Sequence, residues 1–214
     1  MTISVAIFVF PDVEILDFAG PYEVFTTASR VFMNSNSSAA APFSVFTVAR
    51  DIGTVRARAG LVVTPDCTFA RHLPIDLLIV PGGIVTVELK TPAVTRWIKR
   101  TAANAKLTAS VCTGSFLLAQ AGLLEEKSAT THWEDVGDLK AMFPSLTVIE
   151  HQRWVDQGSI VTSAGISAGI DMSLHLVERL CGRELALRTA RQMDFDWHEN
   201  KNSGGPQCAR RYSR

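Results

Sequence analysis

Cysteine is scarce in this chain. Its 214 residues hold four, Cys67, Cys112, Cys181 and Cys208, far apart and without a Cys-x-x-Cys pair. That spacing suggests neither a zinc site nor a secreted disulfide framework. Charge of neither sign is in excess, because 21 Lys and Arg balance 21 Asp and Glu. A general nucleic-acid binder would show a basic surplus. No stretch approaches the ~18 apolar residues of a membrane span. The N-terminus lacks a basic region, and the apolar run at 5–10 is too short for a signal core. Repeats and low-complexity tracts are missing, as are a Gly-x-Gly-x-x-Gly fingerprint, a phosphate-binding Gly-x-x-x-x-Gly-Lys-Ser/Thr loop and a His-Glu-x-x-His motif. These absences predict a reduced, cytoplasmic, soluble protein with no cofactor, no metal, no membrane and no nucleic-acid partner.

What is there is ordinary globular material, 47% hydrophobic and 20% charged, with a mean hydropathy of +0.15. Disorder of the whole is excluded by that composition. A chain of this length buries roughly 70% or more of its unfolded surface. One domain over residues 1–195 and a C-terminal tail at 196–214 are therefore expected. Arg210, Arg211 and Arg214 in that tail read as a solvated basic terminus.

Hydrophobic patterning predicts an alternation of strands and helices. Residues 5–10, 77–80 and 107–111 are continuous apolar or small runs, the pattern of strands covered on both faces. Residues 43–49 read as a further strand, and 55–63 and 147–163 as hairpins. Helices are predicted at about 21–32, with Pro21 in the first turn, and at 91–104, 114–121, 134–143, 169–181 and 184–195. Such alternation predicts an α/β domain with a mostly parallel sheet.

The sharpest chemical feature is Ser110-Val111-Cys112-Thr113-Gly114-Ser115. A buried strand runs into a cysteine and a Gly-containing helix begins at once, the thiol counterpart of a nucleophile elbow. The helix start is expected to stabilise a Cys112 thiolate and lower its pKa. The competing reading is a small buried cysteine that merely packs. Pro81-Gly82-Gly83 follows the strand at 77–80, where backbone N–H groups can approach a ligand or anion; a plain turn is the alternative. Asp17, in Leu16-Asp17-Phe18-Ala19-Gly20-Pro21, lies after the first strand at the same sheet edge. Partial burial would raise its pKa and suit it to proton exchange with a thiol, and helix capping is the alternative. His132-Trp133 either lines a pocket or sits in the core. His175, with Asp171 and Arg179 four residues to either side, reads as a solvated or paired helix face. Ile166 and Ser167 either wall the site or belong to close helix–sheet packing by the glycines around them.

These residues together resemble the ThiJ/PfpI superfamily, whose members share a flavodoxin-like three-layer sandwich. The resemblance covers residues 5–191. It rests on Asp17-Phe18-Ala19-Gly20-Pro21, Val80-Pro81-Gly82-Gly83, Val111-Cys112-Thr113-Gly114-Ser115, Ala121-Gly122-Leu123-Leu124, Ala129-Thr130-Thr131-His132-Trp133 and residues 162–171, in that order. Within the superfamily the chain is most similar to isocyanide hydratase and to the ligand-sensing half of AraC-type regulators. The resemblance implies a nucleophile at Cys112, an acid at Asp17 contacting it and a neighbouring polar group at Thr113. Gly83, with the backbone after Cys112, falls at the anion-stabilising position, and Gly82, Gly114, His132, Ile166 and Ser167 join it as candidate oxyanion and substrate-binding residues. It also implies a homodimer acting on a small molecule. Relatives with peptidase or glyoxalase chemistry often carry His after the nucleophile, where this chain has Thr113. Three functions follow as expectations: isocyanide hydration, non-catalytic ligand sensing, and a thiol-based stress response through oxidation of Cys112. Fewer than 25 residues follow Arg191, too few for the paired helix-turn-helix module of the regulators.

Overall fold

The computed structural model describes residues 2–35 and 38–200. Its elements run β1 (Ile3–Phe8), α1 (Ile15–Ser35), β2 (Phe43–Ala49), β3 (Val55–Arg56), β4 (Val62–Val63), β5 (Cys67–Thr68), β6 (Leu77–Val80), α2 (Thr86–Leu89), α3 (Pro92–Asn104), β7 (Leu107–Val111), α4 (Gly114–Gln120), β8 (Ser128–Ala129), α5 (Val136–Met142), β9 (Thr147–Val148), β10 (Trp154–Asp156), β11 (Ile160–Ser163), α6 (Ala168–Cys181) and α7 (Arg183–Gln192). Seven strands form one sheet in the order β10-β11-β7-β6-β1-β2-β5. Every pairing in it is parallel except β10 with β11. The fully buried runs Leu77-Leu78-Ile79-Val80 and Leu107–Val111 take the middle of the sheet, as runs of apolar or small residues suited to burial on both faces. Helices α1, α6 and α7 pack together as one layer, and α2, α3 and α4 as another. This is the expected three-layer α/β sandwich, with a mostly parallel sheet and an added hairpin.

Register is what builds a site. Val80 pairs with Ser110, and Ser163 with Val111. The residues that follow these strands, Pro81-Gly82, Cys112 and Ala164, therefore emerge side by side at one carboxyl edge, the usual ligand edge of open α/β sheets.

The structure departs from the sequence reading in four places. α1 begins at Ile15, not near Pro21, so Asp17 lies inside its first turn rather than ahead of it. Pro21 is interior and forgoes a single i→i−4 hydrogen bond, a loss that the buried face of α1 outweighs. The short α2 was not visible in the periodicity, since four residues are too few to show one. Within 147–163 only β10 and β11 form a hairpin, while β9 pairs with β8 in parallel. Asp171 does not partner His175 across a helix face. It is fully buried and bound by Arg153, while His175 bonds Asp156 at 2.7 Å. Of the tail, residues 197–200 pack back on the domain: the Trp197 indole N–H donates to the Asp171 carbonyl, and the Asn200 amide to the Trp154 carbonyl. Cys208, Arg210, Arg211 and Arg214 lie outside the described residues. Among the described residues no helix is long and apolar enough to cross a membrane.

Candidate active site

Cys112 occupies the turn from β7 into α4 with φ of +57°. A side chain in this left-handed region costs roughly 1–2 kcal/mol, so the surroundings must impose it. Its N–H donates to the carbonyls of Ser163 at 3.2 Å and Ala164 at 3.3 Å. Its carbonyl accepts from the Ser115 N–H at 3.3 Å, the Ser115 hydroxyl at 3.1 Å and the Thr131 hydroxyl at 3.0 Å. Gly114 lets α4 start flush against β6, since a Cβ there would stand 2.1 Å from the Val80 carbonyl oxygen. Its part is this close approach. Ser115 and Thr131 as anchors of the elbow were missed from sequence. Nothing local in the sequence marks either residue as an anchor. Replacing Thr131 by valine keeps the shape and removes one hydroxyl from the Cys112 carbonyl. The expected cost is about 1–2 kcal/mol, measured as a lower urea midpoint with an unchanged slope.

Asp17 is fully buried. Its Oδ2 accepts the Gly82 N–H at 3.0 Å. The Ile166 N–H and the Cys112 side chain also lie close enough to the carboxyl to lower its pKa. Oδ1 is buried without a hydrogen-bond partner among the described residues. Burial is the main cause that drives the Asp17 pKa up to about 7, and the charge of Glu14 adds to it. The bond from Gly82 is the strongest of those opposing the rise. Asp17 thus stands ready to hold or release a proton near neutrality.

The thiol corrects an expectation. Cys112 is pushed up to about 12 rather than lowered, first by burial and then by the negative charge of Asp17. The Thr113 N–H pulls the other way and loses. α4 has seven residues, and a helix that short offers a weak dipole against those two causes. When Asp17 carries a proton, its repulsion of the sulfur disappears. The pair therefore has two arrangements of one proton, carboxylate beside thiol or carboxylic acid beside thiolate.

Both loop glycines already use their N–H groups. The Gly82 N–H holds Asp17, and the Gly83 N–H donates to the Thr113 hydroxyl oxygen at 2.9 Å. That hydroxyl donates in turn to the Gly83 carbonyl at 2.9 Å. Having one proton, it cannot donate to the sulfur at the same time. The glycine N–H groups, expected to face an anion, position Asp17 and Thr113 in the resting site. The Thr113 N–H is the backbone donor directed at the sulfur.

His132 stands beside this group. Gly165, in the segment that follows β11, packs so tightly on its ring that a Cβ would lie 2.0 Å from Cδ2. Nδ1 accepts the Glu134 N–H at 3.4 Å and lies 3.5 Å from the Asp135 carboxylate. Ile166 has φ of +52° and is exposed. Ser167 is exposed too, and its hydroxyl receives Arg153 at 3.3 Å. Arg153 was missed entirely; an arginine at the start of a β-hairpin carries no signal of where its side chain ends. Leu16, Ile84 and Trp133, next in sequence to Asp17, Gly83 and His132, are exposed apolar side chains like Ile166. The arrangement suits covalent chemistry at the Cys112 sulfur, with one buried acid to move protons.

A family model described as the DJ-1/PfpI family matches residues 3–179. The chain is 34% identical over 211 residues to isonitrile hydratase of Pseudomonas putida, covering 98% of this chain and 86% of that protein. It is also 34% identical over 142 residues to the HTH-type transcriptional regulator CdhR of Pseudomonas aeruginosa, covering 66% of this chain and 42% of the regulator. Among solved structures, a ThiJ/PfpI family protein from Pseudomonas syringae superposes with a TM-score of 0.80 at 27% identity, over 96% of this chain and 80% of that one. An AraC family transcriptional regulator from Pseudomonas putida shares the fold, with a TM-score of 0.76 at 23% identity over 89% of this chain and 99% of that one.

Proposed function

The chain belongs to the DJ-1/PfpI family, and from that premise we propose that it hydrates an isocyanide (isonitrile) to an N-substituted formamide through a covalent Cys112 intermediate. The observation that carries this reading is the buried Asp17 carboxyl, poised near neutral pH within reach of the strained, buried Cys112 thiol. Similarity to an isonitrile hydratase along nearly the whole chain supports the substrate class.

In the reacting arrangement Asp17 holds the proton and Cys112 is thiolate. The sulfur attacks the terminal isocyanide carbon, forming the S–C bond, and that carbon takes the proton from Asp17. The product of this step is a thioimidate, Cys–S–CH=N–R. Asp17, now carboxylate, accepts a proton from water as the oxygen adds to the same carbon. Proton delivery to nitrogen and cleavage of the C–S bond release R–NH–CHO and return the thiol. The sum is one isocyanide plus one water to one formamide, with no redox change. Splitting one difficult addition into two easier ones is the gain of the covalent route. The Thr113 N–H stabilises the thiolate before attack.

The test is to mix the protein with an aryl isocyanide, follow formamide appearance, and quench early for intact mass. Formamide should accumulate, and a transient adduct equal in mass to one isocyanide should map to Cys112. Absence of both would reject the reading. Alignment with CdhR favours one alternative, a small-molecule sensing domain. Tight binding of an isocyanide without turnover or adduct would favour it. The working unit is taken to be a homodimer, which sedimentation equilibrium would establish.

A further inference from the structure

A further buried carboxylate, unlike Asp171 without a close partner, lies on α2, outside the chemistry at Cys112. Glu88 is 2% exposed, yet its Oε2 is buried with no hydrogen-bond partner among the described residues. Arg50 approaches only to 3.9 Å, beyond hydrogen-bonding distance. The Arg50 Nε is committed to Asp51 at 2.7 Å. Glu88 faces a cavity of about 160 Å³ at the carboxyl ends of β1 and β2, lined among others by Phe10, Arg50, Asp51, Gly53 and Thr54. Two carboxylates and one guanidinium leave the cavity one negative charge in surplus. Burial holds the Glu88 carboxyl above the usual range, so a cation beside it would be favoured. An unsatisfied buried acceptor is costly, and a ligand donor would remove that cost.

We propose that this cavity is a second ligand site, taking a small primary ammonium compound whose N–H groups donate to the Glu88 carboxyl once its side chain turns Oε2 into the cavity. The charge surplus selects a cation over a neutral donor. One buried carboxylate with a guanidinium 3.9 Å away is a poor divalent-metal site, which needs several oxygens. At roughly 30 Å³ per water the cavity has the volume of about five waters, enough for a molecule of a few heavy atoms. A simple alkylammonium ion and a small α-amino acid share this chemistry. The amino acid adds a carboxylate that Arg50 would hold.

Calorimetric titration tests the proposal with four probes: ethylammonium, glycine, and as controls tetramethylammonium and acetate, which lack an ammonium N–H. Ethylammonium and glycine should bind and the controls should not. Glu88→Gln, which keeps size and loses charge, should weaken both at least tenfold. Glycine binding more tightly than ethylammonium identifies the amino-acid arm, and equal binding the amine arm. If Glu88→Gln does not fold, the Gly53 and Thr54 amide resonances of the wild type decide, since ethylammonium should move them and tetramethylammonium should not. The proposal is overturned if neither ammonium probe binds, if Glu88→Gln binds undiminished, or if ethylammonium-soaked crystals hold only water there.

Discussion

Cys112→Ala is expected to abolish isocyanide turnover, lowering kcat/KM by about 10⁴-fold or more, while the melting temperature stays within a few degrees of wild type. The two halves rest on different physics. Removing the attacking sulfur deletes the covalent route altogether, leaving only binding and fixed dipoles to act on water. The elbow itself is held by backbone: the Cys112 N–H to Ser163 and Ala164, and its carbonyl to Ser115 and Thr131. Alanine retains every one of those bonds and the same backbone strain, since it too has a Cβ at φ of +57°. It loses the packing of one sulfur atom, worth about 1 kcal/mol. The checks are formamide production under saturating aryl isocyanide, intact mass for loss of the adduct, and a thermal melt. Turnover undiminished in Cys112→Ala would reject the nucleophile. A collapsed melt would show instead that Cys112 is a packing residue.

The elbow was legible because its information is local. A buried strand, a cysteine and a small-residue helix start follow one another without a break in Ser110-Val111-Cys112-Thr113-Gly114-Ser115. The Pro81-Gly82-Gly83 turn was legible for the same reason, and the parallel register of β6 with β7 brought the two together. What was not legible depends on atoms remote in sequence. Thr131 reaches the Cys112 carbonyl across 19 positions, and Arg153 reaches Asp171 across 18. The direction of the Cys112 shift failed for the same reason. A helix start is visible in sequence, whereas the burial of the sulfur and the nearness of Asp17 arise only on folding, and they outweigh it. The glycine N–H groups illustrate the limit: sequence placed them at the right edge, and only the coordinates reveal that Asp17 and Thr113 already occupy them.

Asp17→Asn should separate activity from stability in opposite directions. A free carboxyl titrates at 3.8, and burial moves that of Asp17 to about 7 in the folded protein. The folded state therefore keeps a proton that the unfolded chain has lost between these values. Stability linked to Asp17 is complete below about pH 4 and drains away as pH rises to about 7. At 1.36 kcal/mol for each pH unit the loss amounts to about 4 kcal/mol. Asparagine cannot ionise, and its carbonyl can still accept the Gly82 N–H. The variant should match wild type at pH 4 and melt well above it at pH 8. Activity should move the other way. In wild type, kcat/KM should rise with pH through an apparent value near 7, as the Asp17–Cys112 pair loses its first proton and reaches the arrangement that contains thiolate. In Asp17→Asn the repulsion on the sulfur is gone, but burial, the larger cause, still holds the thiol above its ordinary value. No acid remains to protonate the isocyanide carbon. At pH 7 kcat/KM should fall by about 10²- to 10⁴-fold, and the rising limb should shift to alkaline pH. Melting curves that run parallel with pH in the two proteins would show that Asp17 does not titrate on folding. An unmoved activity limb would show that the carboxyl takes no part in ionising Cys112.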